Sequence, residues 1–115
     1  MSTAASIAGG EALPLADLIT FTPRGIASRV LAKQGGSTVT LFAFDAGEAL
    51  SEHSAPFDAM VIVLDGSLTL TVGGASVNAG TGTITRLPAN IPHAVDAPVA
   101  SRMLLIMLRQ QPVAR

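Results

Sequence analysis

The chain has 115 residues, 49% of them hydrophobic and 13% charged, with no Cys, Trp or Tyr and four Phe. One domain fits that length. The low charge and a mean hydropathy of +0.51 exclude a disordered segment and a coiled coil. Seven basic residues against eight acidic ones leave no basic face for nucleic acid.

The longest unbroken apolar runs, Ala59–Leu64 and Met103–Leu108, fall far short of the roughly 18–20 residues of a membrane-spanning helix. Without Cys there is no disulfide, thiolate nucleophile, iron–sulfur cluster or zinc–thiolate site. Without Tyr no phenol acts as a general acid. The start, Met1-Ser-Thr-Ala-Ala-Ser, lacks a basic n-region and a long h-region. A cytoplasmic protein with no membrane or nucleic-acid partner is therefore expected.

Residues 1–12 are small and polar and read as a loose tail. Pro14–Ile19 suits a short helix, since Pro fits a first helical turn, and Thr22-Pro23-Arg24-Gly25 ends it. Short strands follow. Ala27–Lys33 ends at Gly35-Gly36, and Ser37–Asp45, rich in Thr, Val and Phe, ends at Ala46-Gly47. Ala59–Leu64 and Ser67–Val72 flank Asp65-Gly66, which reads as a type I′ hairpin turn. Gly73-Gly74 turns into Ala75–Asn78. Thr83–Arg86 follows Gly80 and Gly82, 87–92 is a loop, His93–Asp96 is short, and Arg102–Arg109 is a long last strand. Short strands at this spacing predict an all-β sandwich or barrel, with residues 1–24 as tail and helix and residues 25–111 as the barrel domain.

Met103–Leu108 is apolar on both alternating faces, the mark of a strand buried on both sides. One face suits a barrel interior and the other needs a cover. The expected cover is a second copy of the chain in a homodimer. The alternative is the N-terminal segment folded over the sheet.

Two segments resemble the paired motifs of the cupin superfamily. The first motif is Gly, five residues, His-x-His, three or four residues, Glu, six residues and Gly; Gly47, His53 and Gly66 match it. The second is Gly, five residues, Pro-x-Gly, two residues, His, three residues and Asn; Gly82, Pro88 and His93 match it, with Asn90 at the second Gly. Asn tolerates positive φ, so that turn is expected to survive. The resemblance implies a double-stranded β-helix, the jelly-roll barrel of a small single-domain bacterial cupin, with its site at the barrel mouth.

It also implies a divalent metal held by two His and a Glu of the first motif and a His of the second. Here the second His position is Ala55 and the Glu position is Ala59, beside Met60. His53 and His93 remain as candidate ligands of one divalent ion, with Glu48, Glu52 and Asp58 as nearby carboxylates. Residues 53, 55, 57, 59, 61 and 63 share a strand parity, which predicts an apolar inner wall with one imidazole at its mouth. Glu52, Asp58 and Met60 have the opposite parity. The candidate ligand-binding residues are His53, Phe57, Asp58, His93 and Met103; no catalytic residue is assigned.

Three functions compete. The first is a binding module for a small, mostly apolar molecule anchored by His53 and His93, since pockets are mainly apolar with few polar groups. The second is a metal-dependent cupin enzyme of dioxygenase or isomerase type. The third is a sugar-nucleotide epimerase, whose chemistry resembles a His base facing a Tyr acid; the absence of Tyr argues against it.

Overall fold

A computed structural model describes residues 6–109. Residues 1–5 of the expected tail and residues 110–111 of the expected barrel domain lie outside the described residues. In chain order the elements are a 3-10 turn (Leu15–Asp17), β1 (Ile26–Gln34), β2 (Ser37–Phe44), β3 (Ala49–His53), β4 (Ala59–Asp65), β5 (Ser67–Val72), β6 (Ala75–Gly80), β7 (Ile84–Leu87), β8 (His93–Asp96) and β9 (Ser101–Met107). The strands pair antiparallel in two sheets, ordered β1-β2-β9-β4-β7 and β3-β8-β5-β6. The chain is all-β with a jelly-roll architecture, as the motifs imply. The expected N-terminal helix is reduced to one 3-10 turn, and the last strand stops at Met107.

Two hairpins follow from glycine pairs. Gly35-Gly36 (φ 60° and 89°) joins Gln34 to its partner Ser37, and Gly73-Gly74 (φ 59° and 85°) joins Val72 to Ala75. Two consecutive positive φ values are what a type I′ turn requires. Asp65-Gly66 departs from the sequence expectation. β4 and β5 lie in different sheets and do not pair, so the dipeptide is a crossing between layers, not a hairpin turn. In this dipeptide only Gly66 (φ 88°) has positive φ.

The core lies between the sheets. Strand alternation sends Ala59, Val61 and Val63 of β4 inward with Phe44 and Met103, against Leu68, Leu70 and Val95 of the second sheet. Each such aliphatic side chain contributes roughly 1.5–3 kcal/mol by burial.

A second cluster lies outside the first sheet. Leu41 and Ala43 are fully buried there with Leu31 and Ile19, and Ile7, Leu18, Phe21 and Leu104 pack against them. The N-terminal segment thus covers the outer face of β2 and the Leu104 side of β9. A bulge between Val30 and Ala32 interrupts the β1 register at Leu31, whose carbonyl accepts from Ile7 N at 2.9 Å. Arg102 clamps the same segment: its guanidinium sits 4.4 Å over the Phe21 ring and donates to Asp65 at 2.7 Å.

Candidate functional site

The two histidines meet because β3 is irregular. Ala49 pairs with Asp96 and Leu50 with Val95, but the register then shifts, and His53 pairs with His93. In a regular strand Glu52 would share the inner face with Leu50. The extra residue of the bulge puts His53 there instead, a familiar use of bulges beside binding sites. Glu52 is left exposed. β3 also ends at His53, and residues 54–58 form a loop before β4. The single parity from 53 to 63 therefore does not hold, although Ala59, Val61 and Val63 do face inward and Met60 does not join the core.

His93 is set by the preceding loop. Asn90 adopts φ 65°, as expected of the Asn at this motif position, and donates its N–H to the Ala55 carbonyl at 2.7 Å. The Pro92 carbonyl accepts from Gly73 N at 2.8 Å. The two imidazoles meet edge to face, ring centres 4.4 Å apart, with Nε2 atoms separated by 3.2 Å. Each Nδ1 faces a backbone carbonyl: His53 that of Ser51 at 3.0 Å, His93 that of Ile91 at 3.3 Å. His53 is exposed, whereas His93 is 8% exposed. Burial, and secondarily the neighbouring His53, pull the His93 pKa below its usual value, while the Ile91 carbonyl pulls the other way.

Behind the pair lies a pocket of about 240 Å³ lined by Phe42, Leu50, Val61, Leu87, Val95, Met103 and Leu105 together with His53 and His93. Three of the five expected ligand-binding residues, His53, His93 and Met103, line this cavity. Phe57 and Asp58 do not. They line an outer groove of about 330 Å³ with Pro56, Ala89 and Leu108. Arg109 stacks on Phe57 at 4.8 Å. Asp58 is a structural clip: its carboxylate accepts from Ala89 N at 2.8 Å and Arg86 at 3.0 Å, and its carbonyl accepts from Leu108 N at 3.0 Å. The Ala89 and Arg86 hydrogen bonds, in that order, hold its pKa below the usual carboxylate value. Phe42, Leu50, Leu87, Val95 and Leu105 were not singled out from sequence; inward alternation on five different strands is the signal that assembles them.

A Cupin domain family model matches residues 40–108. The chain belongs to the cupin domain family. Solved structures agree along nearly its whole length. A conserved protein of unknown function from Streptococcus pyogenes is 32% identical, with a TM-score of 0.85 over 99% of this chain and 98% of that one. A cupin superfamily protein from Desulfitobacterium hafniense is 26% identical, with a TM-score of 0.83 over 93% and 98%. A cupin 2 conserved barrel domain protein from Leptotrichia buccalis is 37% identical, with a TM-score of 0.78 over 82% of this cupin and 46% of that chain. Among curated proteins no relative matches.

The motif resemblance implies a divalent metal at this place. The Nε2 spacing of 3.2 Å is close to the roughly 3.3 Å between two ligands on one tetrahedral ion with bonds of about 2.0–2.1 Å. The donor count is not. Zinc and non-haem iron sites take three or more protein ligands, and among the described residues no group of three His, Cys, Asp or Glu is placed to hold an ion. Leu50, Val61 and Met103 stand around the pair instead. The residues present do not fit a resident divalent ion.

Proposed function

We propose that this cupin binds a small, largely apolar organic acid or phenol inside the barrel, with the polar head on His53 and His93. The pocket carries the reading. Seven apolar side chains enclose about 240 Å³, and the polar side chains lining it are two imidazoles in mutual contact. A dry cavity of about 150 Å³ accommodates benzene, so this volume suits roughly ten non-hydrogen atoms. Apolar burial supplies the affinity and the polar groups set the orientation.

Thermal-shift screening with benzoate, phenol and short-chain carboxylates tests it. At a hundredfold excess over Kd a ligand stabilises by about 2.7 kcal/mol, a shift of several degrees in a domain of this size. His93→Ala is expected to lose the response. No shift with any apolar acid or phenol at millimolar concentration would overturn the reading. A second reading, a metal-dependent enzyme of dioxygenase or isomerase type, is favoured by the Nε2 spacing alone. Near-stoichiometric divalent ion in protein purified without added metal would establish it.

A further inference from the structure

An unpaired edge strand is a template for another strand, and folded chains blunt such edges with charge, Pro, bulges or short length. The edges here are β1 and β7 of the first sheet and β3 and β6 of the second. Three of them are blunted. β1 carries Arg29 and Lys33, is bulged between Val30 and Ala32, and has its Leu31 carbonyl occupied by Ile7 N. β7 has four residues, Arg86 among them, and Pro88 follows. β3 contains Glu52 and a register shift after Leu50, and Pro56 follows. β6 is different. Its sequence, Ala-Ser-Val-Asn-Ala-Gly, has no charge and no Pro, and it pairs with β5 in unbroken register. Ala75, Ser76, Val77 and Asn78 are all exposed.

The Gly73-Gly74 turn fixes which backbone groups face outward. Val72 and Ala75 close that two-residue turn, so they form a hydrogen-bonded pair. Alternation then aims the N–H and C=O of Val77 at β5 and those of Ser76 and Asn78 away from it. β6 has no strand on that side, and among the described residues no loop backbone takes those groups. Val77 shares the core side of the sheet with its partner Leu70. Leu70 is fully buried, but Val77, at the edge, is 47% exposed.

We propose that the β6 edge pairs antiparallel with the β6 edge of a second copy of the chain, about a two-fold axis at Val77. The strand itself selects this occupant. In this register Ser76 of one copy faces Asn78 of the other, and the two exchange both backbone hydrogen bonds on each side of the axis. Val77 meets its own copy as a non-hydrogen-bonded pair, the closest cross-strand approach. No like charges converge, whereas the same operation on β7 or β3 would bring Arg86 or Glu52 toward its own copy. One short strand makes a small interface, so the dimer is weak and concentration-dependent. It seats the second copy away from the outer face of β9 and does not depend on what the pocket binds.

Sedimentation equilibrium of the full chain is expected to show monomer and dimer exchanging with a Kd of about 10 µM to 1 mM. Asn78→Pro removes an outward N–H on each side of the axis and is expected to weaken the dimer at least about tenfold. Val77→Lys is expected to do the same by like-charge repulsion, and it carries the test if Asn78→Pro fails to fold, with circular dichroism as the check. Register is read by cross-linking, because Val77→Cys is the only thiol in a chain without Cys. Added diamide takes up the two electrons and two protons that a thiol pair releases. Val77→Cys is expected to yield disulfide dimer, and Ser76→Cys, whose copies lie diagonally and out of disulfide reach, is not. A monomer at every concentration up to about 1 mM would overturn the proposal. A dimer undiminished by Val77→Lys, or cross-linked as readily through Ser76→Cys, would overturn it in favour of another surface.

Discussion

Gly66→Ala tests how the two sheets are joined. Gly66 adopts φ 88°, and a Cβ there would lie 2.6 Å from the Ala100 carbonyl oxygen and 2.7 Å from Ser101 Cβ, with Ser101 Oγ in the way as well. Ser101 is fully buried, its hydroxyl accepts from Ser67 N at 3.0 Å, and the Val99 carbonyl lies 2.9 Å from it. That hydroxyl ties the start of β9 to the β4–β5 crossing, so neither side can retreat without breaking it. The left-handed backbone costs roughly 1–2 kcal/mol for a residue with a Cβ. Displacing Ser101 adds roughly 1–3 kcal/mol for unpaired buried groups. The expected loss is about 2–5 kcal/mol. Gly47→Ala is the control: its φ is also 88°, but nothing lies within 4 Å of its Cβ, so only the backbone part, roughly 1–2 kcal/mol, is expected. Urea unfolding followed by circular dichroism reads both, since the chain has no Trp or Tyr to report by fluorescence. Equal destabilisation of the two variants would refute the reasoning, because the clash at Ser101 would then contribute nothing.

Val61→Phe places a larger side chain where a 1%-exposed Val lines the pocket. It is expected to abolish the thermal shift by benzoate at a stability loss of about 1–3 kcal/mol from overpacking, checked by the same melting assay. Arg102→Ala removes both the Asp65 ion pair and the stacking on Phe21. A loss of about 1–3 kcal/mol is expected, with faster proteolytic cleavage around residues 10–24, read by limited proteolysis and mass spectrometry. The Asp58 pKa is lowered in the folded protein, so its stabilisation is complete above the unfolded carboxylate value and is lost as pH falls through the folded one. The urea midpoint should therefore drop on acidification below about pH 4, and Asp58→Asn should flatten that limb; an unchanged acid limb in the variant would count against the clip.

The fold was legible where local chemistry decides it. Glycine pairs at 35–36 and 73–74 place two hairpins, and the alternation of Ala59, Val61 and Val63 against Met60 and Ile62 gives β4 its faces. Asp65-Gly66 misleads because a turn dipeptide reports positive φ and not which strands pair; both a hairpin and a layer crossing need that φ. The packing of the N-terminal segment beside β9 is hidden for another reason. Ile7, Leu18, Ile19 and Phe21 are spaced irregularly through a segment with a single 3-10 turn, so no periodicity announces that they pack together on Leu41 and Leu104.

At the site, the motif spacing located both histidines, and the geometry brings them into contact. What spacing could not show is the bulge. Counting in twos back from Val61 puts Phe57 and His53 inside and Glu52 outside. The loop at 54–58 removes Phe57 from that wall, and His53 keeps its inner place only through the residue inserted in β3. The pair is left among aliphatic side chains with carbonyls behind it. Removing His and Glu from the metal positions could have left an inert barrel. Instead the two remaining imidazoles stay in register at the end of an apolar pocket, with each Nδ1 turned to a carbonyl. A purely structural role for His53 does not require that arrangement, because an exposed side chain at a strand end has water for its hydrogen bonds. The convergence of both Nε2 atoms, which the bulge brings about, is what the proposed ligand binding draws on.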